Sequence, residues 1–301
     1  MFKHTSIVSP LRTICVVGTL VGTLAGALLA CPTRALARPI QQSIPAKQAL
    51  DVQAVSTDIK IVGAQTDMIT VRGELPDDWK LELQNRGERT QIDVSPGKRS
   101  RRSSRTATLT ITVPLGSSVR AKTVSGDVDI SHVSGNLELA SVSGDIRAGS
   151  GGAEAKLKTV SGDILVASNS ARLHVKSVSG DIEVTGARGV FEAKTISGEV
   201  HVSNATLTRA DLTSTSGDVW FEGALTLAGP HQFKSHSGDL ELVLQRGKPV
   251  DISASSRSGS VEDRFHKRHY KGRDTPRFSL GSGGPSVELR TFSGDVTIRP
   301  H

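Results

Sequence analysis

Lys158-Thr-Val-Ser-Gly-Asp-Ile-Leu-Val166 returns 18 positions later as Lys176-Ser-Val-Ser-Gly-Asp-Ile-Glu-Val184, and this return decides the fold. Its core recurs at the same interval as Ser125-Gly126-Asp127, Ser143-Gly144-Asp145, Ser161-Gly162-Asp163, Ser179-Gly180-Asp181 and Ser197-Gly198-Glu199. Later copies at Ser216-Gly217-Asp218, Ser237-Gly238-Asp239, Ser258-Gly259-Ser260 and Ser293-Gly294-Asp295 are spaced by 19, 21, 21 and 35 residues.

A half-repeat of nine lies inside each 18. It shows at Ser134-Gly135-Asn136 and in the apolar column Val128, Leu137, Ile146, Ala155, Ile164, Leu173, Ile182, Phe191, Val200. A second column stands two residues further on: Ile130, Leu139, Ala148, Leu157, Val166, Val175, Val184, Ala193, Val202. Residues two apart share one face of a strand, so each nine is one short strand with both apolar residues inward, plus a turn. Two halves per coil predict an all-β chain, a single-stranded parallel β-solenoid (β-helix) of about 18 residues per turn, with coils about 4.8 Å apart. Right-handedness follows from the general preference of parallel crossovers. A hexapeptide helix also has 18 residues per turn, but stepping six from Ile130 lands on Asn136. Seven Phe, two Trp and one Tyr among 301 residues suit thin aliphatic layers better than a broad globular centre.

The chain outside the repeat divides by composition. Residues 1–37 carry Lys3 and Arg12, an uncharged run from Ile14 to Ala30, then Pro32 and Ala35-Leu36-Ala37, the pattern of a signal peptide cleaved before Arg38. Leu28-Leu29-Ala30-Cys31 offers lipidation of Cys31 as second choice, disfavoured by Pro32. Residues 38–48 are expected as a flexible tether. Residues 49–120 read as alternating strands over 58–62, 68–72, 80–83, 90–94 and 106–113, forming an N-terminal β cap or opening turns. The repeat proper then occupies 121–301. Both cysteines, Cys15 and Cys31, fall in the leader, so a chain beginning at Arg38 has neither a disulfide nor a thiolate site. Loss of Lys3, Arg12 and Arg34 lowers the formal charge from +7 to +4, too mild for a nucleic-acid partner and without a transmembrane span in the mature chain.

The motif itself reads as a corner. Gly126, Gly144, Gly162, Gly180, Gly198, Gly217 and Gly238 supply backbone freedom, and the following acids Asp127, Asp145, Asp163, Asp181, Glu199, Asp218 and Asp239 supply acceptors for amides that the bend frees. Stacked carboxylates about 5 Å apart repel by roughly 1 kcal/mol even in water, so the ladder must be wet, hydrogen-bonded or neutralised. Calcium-binding nonapeptide repeats carry the glycine-rich pattern G-G-x-G-x-D, which these single-glycine corners lack. Equivalent acids and few aromatics argue against sugar cleavage, so no catalytic residue, metal or cofactor is assigned. Trp220-Phe221 reads as a packing pair. His266 and His269 sit among cations, in a solvated loop rather than a metal site. The basic stretches 98–105 and 264–273 are expected as surface loops, with Arg101, Arg102, Arg105, Lys267, Arg268 and Lys271 as candidate contacts to anionic surfaces.

Lys122-Thr-Val-Ser-Gly-Asp-Val128 and Lys176-Ser-Val-Ser-Gly-Asp-Ile182, led in by Val113-Pro-Leu-Gly116, resemble the bacterial "putative adhesin" family of unknown function over about residues 50–300. The resemblance implies a secreted β-solenoid and brings no catalytic residues. The expected function is a non-enzymatic, exported cell-envelope protein, periplasmic or surface-associated. It would act as an adhesin, scaffold or binding module whose partner is an envelope protein, polysaccharide or anionic lipid surface. A carbohydrate-binding or carbohydrate-active β-helix is the alternative.

Overall fold

Ile164 and Val166 are buried while Leu165 and Ala167 face outward, and every short strand of the repeat alternates in this way. Aliphatic side chains two apart can all reach one interior only if the backbone is extended. The computed structural model describes residues 38–97, 106–149, 151–226, 229–271 and 276–301, which are all-β. The expected leader with Cys31, and Arg101, Arg102 and Arg105, lie outside the described residues. No helix among the described residues is long and apolar enough to cross a membrane.

The first strands are β1 (Arg38–Pro45), β2 (Ala49–Ala54), β3 (Thr57–Ala64), β4 (Met68–Leu75), β5 (Lys80–Arg86), β6 (Arg89–Ser95) and β7 (Ala107–Pro114). The regular coils follow as β8 (Ser118–Lys122), β9 (Val128–Ser131), β10 (Leu137–Ala140), β11 (Ile146–Gly149), β12 (Glu154–Lys158), β13 (Ile164–Ala167), β14 (Arg172–Lys176) and β15 (Ile182–Thr185). Longer strands β16 (Arg188–Ser197), β17 (Val200–Ser216), β18 (Val219–Leu225), β19 (His231–Ser237) and β20 (Leu240–Leu244) continue them. The chain closes with β21 (Val250–Ser256), β22 (Ser260–Asp263), β23 (Arg268–Lys271), β24 (Arg277–Leu280), β25 (Ser286–Ser293) and β26 (Val296–Pro300).

Each coil contributes one strand to either of two parallel ladders. Leu137, Ala155, Leu173 and Phe191 stand in register on the first ladder, and Val128, Ile146, Ile164, Ile182 and Val200 on the second. Every residue of the two apolar columns read from the sequence is buried. The parallel solenoid is therefore the observed fold, held by stacked aliphatic layers and a hydrogen-bond ladder along its length.

At both ends the coils are stacked out of chain order. β2 lies between β6 and β8, and β3 between β7 and β9, so the chain enters at an inner coil, runs outward, and returns past its own start. At the other end β25 inserts between β19 and β21, and β26 between β20 and β22. The spacing of 35 between the last two marked corners is this excursion. Antiparallel strands then cover the outermost coils: β4 on β7, β1 on β4 and β5 on β6 at one end, β24 on β21 and β23 on β22 at the other. Solenoid edges otherwise expose unpaired amides and carbonyls to other chains.

Two expectations are corrected here. Most of the stretch 38–48, expected as a tether, is strand β1, which pairs with β4 from Arg38↔Leu75 to Pro45↔Met68 and turns Ile40 and Ile44 against the core. The basic segment expected as a loop is a hairpin: Lys267 sits in its turn with φ 56°, while Arg268 and Lys271 bound β23. Cationic side chains suit such an exposed edge, because they oppose pairing with a further strand.

Candidate functional site

The Ser-Gly-Asp corner is where the two ladders meet. Gly180 has φ 149°, and a Cβ there would lie 2.0 Å from the Gly162 carbonyl oxygen of the preceding coil, so only glycine lets successive corners stack. The following acid joins the coils. Asp127 Oδ1 accepts the Asp145 N–H (3.0 Å), Asp145 that of Asp163 (3.0 Å), Asp163 that of Asp181 (2.9 Å) and Asp181 that of Glu199 (2.8 Å). The ladder resumes from Asp218 to Asp239 and from Asp239 to Asp295, both at 2.7 Å.

The first of its two ends lies outside the Ser-Gly-Asp copies. Asp58, which follows Ser56-Thr57, is the first rung and accepts the Asp127 N–H at 3.1 Å. Ser260 stands in the last coil, donating its amide to Asp295 Oδ1 (2.7 Å), and has no further corner to bond. The residue two before several of the motif serines is also structural: Ser141 and Thr159 hydroxyls donate to the carbonyls of Gly126 (3.4 Å) and Gly144 (3.3 Å), and Ser256 to Gly294 (2.7 Å). The ladder is thus an amide-bonded scaffold. Among the described residues no group of three or more His, Cys, Asp or Glu is placed to hold a metal ion.

Beside the corner, the outer face of the first ladder carries two columns that the motif reading passed over. Lys122, Ala140, Lys158, Lys176, Lys194, Thr213, Lys234 and Arg290 lie in register, one per coil. Two residues further on, Val124, Val142, Val160, Val178 and Ile196 form an aliphatic ridge, each 40–53% exposed. The ridge continues as stacked rings, His236 on Phe292 with centroids 4.9 Å apart, and ends where Arg257 lies 5.1 Å from the Phe292 centroid. The signal is in the sequence, as the lysine and valine that precede Ser125, Ser161 and Ser179.

A third column, two residues before the lysines and running through Arg120, Glu138, Lys156, His174 and Glu192, neutralises itself. Arg120 pairs with Glu138 (2.7 Å), Lys156 with Glu154 (3.0 Å), and Glu192 with Lys194 (2.7 Å) and His174 (3.2 Å). The hydrogen bond from Arg120 holds the Glu138 carboxyl below the usual carboxylate range, and Lys194 does the same to Glu192. Lys122, Lys158 and Lys176 form no ion pair among the described residues, so the net positive charge of this face concentrates beside the ridge. The second ladder's outer face carries the Asp rungs together with Asp129, Glu183 and Glu241. There Arg147 bridges Asp127 (3.2 Å) and Asp145 (2.8 Å).

The remaining candidates do not converge. Arg268 and Lys271, three apart on β23, point to opposite faces of the hairpin, and Lys267 is exposed at its tip. His266 Nδ1 bonds Asp263 Oδ2 (2.6 Å), and Asp263 Oδ1 accepts the amides of Phe265 and His266, so this acid closes the turn. Trp220 and Phe221 part company: Phe221 packs edge-on against Phe233 in the core (centroids 5.3 Å), while Trp220 stacks outside on His201 (4.0 Å).

A family model described as "Toastrack DUF4097" matches residues 47–299, the whole stack of coils. The chain belongs to this family. The toastrack family is one of unknown function, and its match agrees with the resemblance carried by the Ser-Gly-Asp strings. No curated protein matches the chain. Among solved structures it is similar to a "putative adhesin" from Bacteroides fragilis NCTC 9343, at 14% identity over 88% of this chain and 97% of that one, with a TM-score of 0.47. It is also similar to a "putative adhesin" and a "putative lipid binding protein", both from Parabacteroides distasonis ATCC 8503. These match at 13% and 14% identity with TM-scores of 0.43, covering 88% and 87% of this chain and 98% and 96% of theirs.

Proposed function

We propose that this toastrack protein is a non-enzymatic binding module of the cell envelope, exported from the cytoplasm, that presents the outer faces of its solenoid to an envelope macromolecule. The observation that carries this reading is the use of the acids. The ladder aspartates recur as one repeated arrangement, with the Oδ1 of Asp127, Asp145, Asp163, Asp181, Asp218 and Asp239 each committed to a backbone amide, whereas acid/base chemistry on sugars needs two carboxyl groups in unlike environments. What repeats on the outside is a set of rows suited to an extended partner rather than to one small molecule.

The test is incubation of the purified protein with anionic and neutral polysaccharides, following both binding and chain length. Retention of at least one polymer at unchanged length is expected. Depolymerisation would overturn the reading in favour of a carbohydrate-active β-helix. Mass spectrometry of the mature N-terminus is expected to find Arg38, and a lipid-modified Cys31 would replace that assignment.

A further inference from the structure

The free lysines beside the ridge form an organised surface. Lys158, Lys176 and Lys194 are direct cross-strand partners on neighbouring coils. Like charges placed opposite one another on a sheet are unfavourable, so packing alone gives no reason to hold three in a row. Lys194 is hydrogen-bonded to Glu192, while Lys122, Lys158 and Lys176 make no close ion pair among the described residues, Lys122 and Lys176 acting on Glu138 and Glu192 only from further away. Beside them Val124, Val160 and Val178 keep about half their surface in water at positions where a polar residue would fit as well.

We infer that this strip, lysine column and aliphatic ridge together, is the binding site for a linear acidic polysaccharide of the polyuronate type, lying along the solenoid axis. The inference rests on the binding-module reading and names its ligand. Three observations favour such a chain. Lys158, Lys176 and Lys194 recur with the coil rise of about 4.8 Å, close to the advance of one sugar along an extended 1,4-linked chain, and Lys122 stands two coils before Lys158 with Ala140 between them, so carboxylates one or two sugars apart meet cationic rungs. The ridge offers continuous aliphatic contact to the C–H faces of the rings, as the lysines hold the carboxylates. The Asp ladder runs on the other side of the ridge, so a flat anionic bilayer pressed onto the corner meets both charges, whereas a chain one sugar wide touches only the cationic side.

The test is calorimetric titration of the full mature chain with oligogalacturonates of increasing length, beside neutral maltooligosaccharides and phosphatidylglycerol vesicles. It uses wild type and the triple variant Lys122→Gln/Lys158→Gln/Lys176→Gln, with melting temperature as the fold control. Affinity is expected to rise with oligomer length and to fall with salt. The triple variant is expected to lose at least tenfold at an unchanged melting temperature, and Val160→Ser/Val178→Ser to weaken binding with the lysines intact. Equal binding by wild type and triple variant overturns the inference. So does binding to vesicles without binding to oligogalacturonate, or a wild type that binds no uronate oligomer. Self-association abolished by the triple variant would assign the strip to a second copy and overturn it as well. Shortening of the oligomers would sink the non-enzymatic reading alone, since the lysine dependence of binding is read separately.

Discussion

Asp163 Oδ1 accepts the backbone N–H of Asp181, its own successor one coil later, at 2.9 Å. Two residues that look in sequence like neighbouring rungs of a charged binding motif are donor and acceptor of one structural bond. The same relation joins Asp145 to Asp163 and Asp239 to Asp295, so the acid that marks the repeat is used up in stacking it.

The acceptor oxygen therefore matters more than the charge. Asp163→Ala is expected to remove about 1 kcal/mol and to lower the melting temperature by about 2–4 °C, whereas Asp163→Asn, which keeps a carbonyl acceptor, stays near wild type. Thermal melts of the two variants check this, and equal losses would show that charge is what the fold uses.

Gly180→Ala should be far more damaging than any substitution of its flanking acids. The new Cβ meets the Gly162 carbonyl at 2.0 Å on a backbone with φ 149° that side chains rarely adopt. A loss of about 3 kcal/mol is expected by chemical denaturation. A near-neutral result would mean that the corner can open.

How far the sequence could be read follows from which contacts are periodic. Ile146, Ile164 and Ile182 bury in register because each coil repeats the last, and an 18-residue count finds them without any structure. The stacking order at the ends has no such signal. β25 reaches its place between β19 and β21 through a non-local pairing that spacing cannot encode, and only the loss of acid at Ser260, in a coil with none beyond it, hints at the arrangement. The tether and loop readings failed for a related reason. Ile40 and Ile44 give β1 only a short inward pattern, and the exposed strand β23 carries charges that resemble a loop's. The lysine column is hidden in the sequence because Lys122, Lys158 and Lys176 stand as flanks of the Ser-Gly-Asp corner and become a row only when the coils stack in register.

His231 is fully buried at a core position between Ala210 and Val287, and its Nε2–H donates to the Thr226 carbonyl at 3.0 Å. Burial pushes the imidazole below its ordinary value, against a smaller upward pull from that carbonyl. A histidine with a lowered folded value contributes stability that is present above its unfolded pKa of about 6.5 and is lost as the pH falls through the folded value. Wild type should therefore lose more melting temperature between about pH 7.5 and about pH 5 than His231→Leu does. Equal acid shifts would place the sensitivity elsewhere.

Since each ladder Oδ1 is already bonded to an amide, chelator is expected to leave the melting temperature within about 1 °C of its value in millimolar calcium. A rise of several degrees with the metal would show that the outward oxygens gather ions.

The central claim is that Ser-Gly-Asp is scaffold and that recognition belongs to the lysines beside it. Its most direct test compares oligogalacturonate affinity and melting temperature for two triple variants, Asp145→Asn/Asp163→Asn/Asp181→Asn and Lys122→Gln/Lys158→Gln/Lys176→Gln. The account predicts that the asparagine variant binds within about twofold of wild type or tighter, as a repelling row is removed, and that the glutamine variant loses about tenfold or more. Loss of binding in the asparagine variant, with the glutamine variant unaffected, would contradict it.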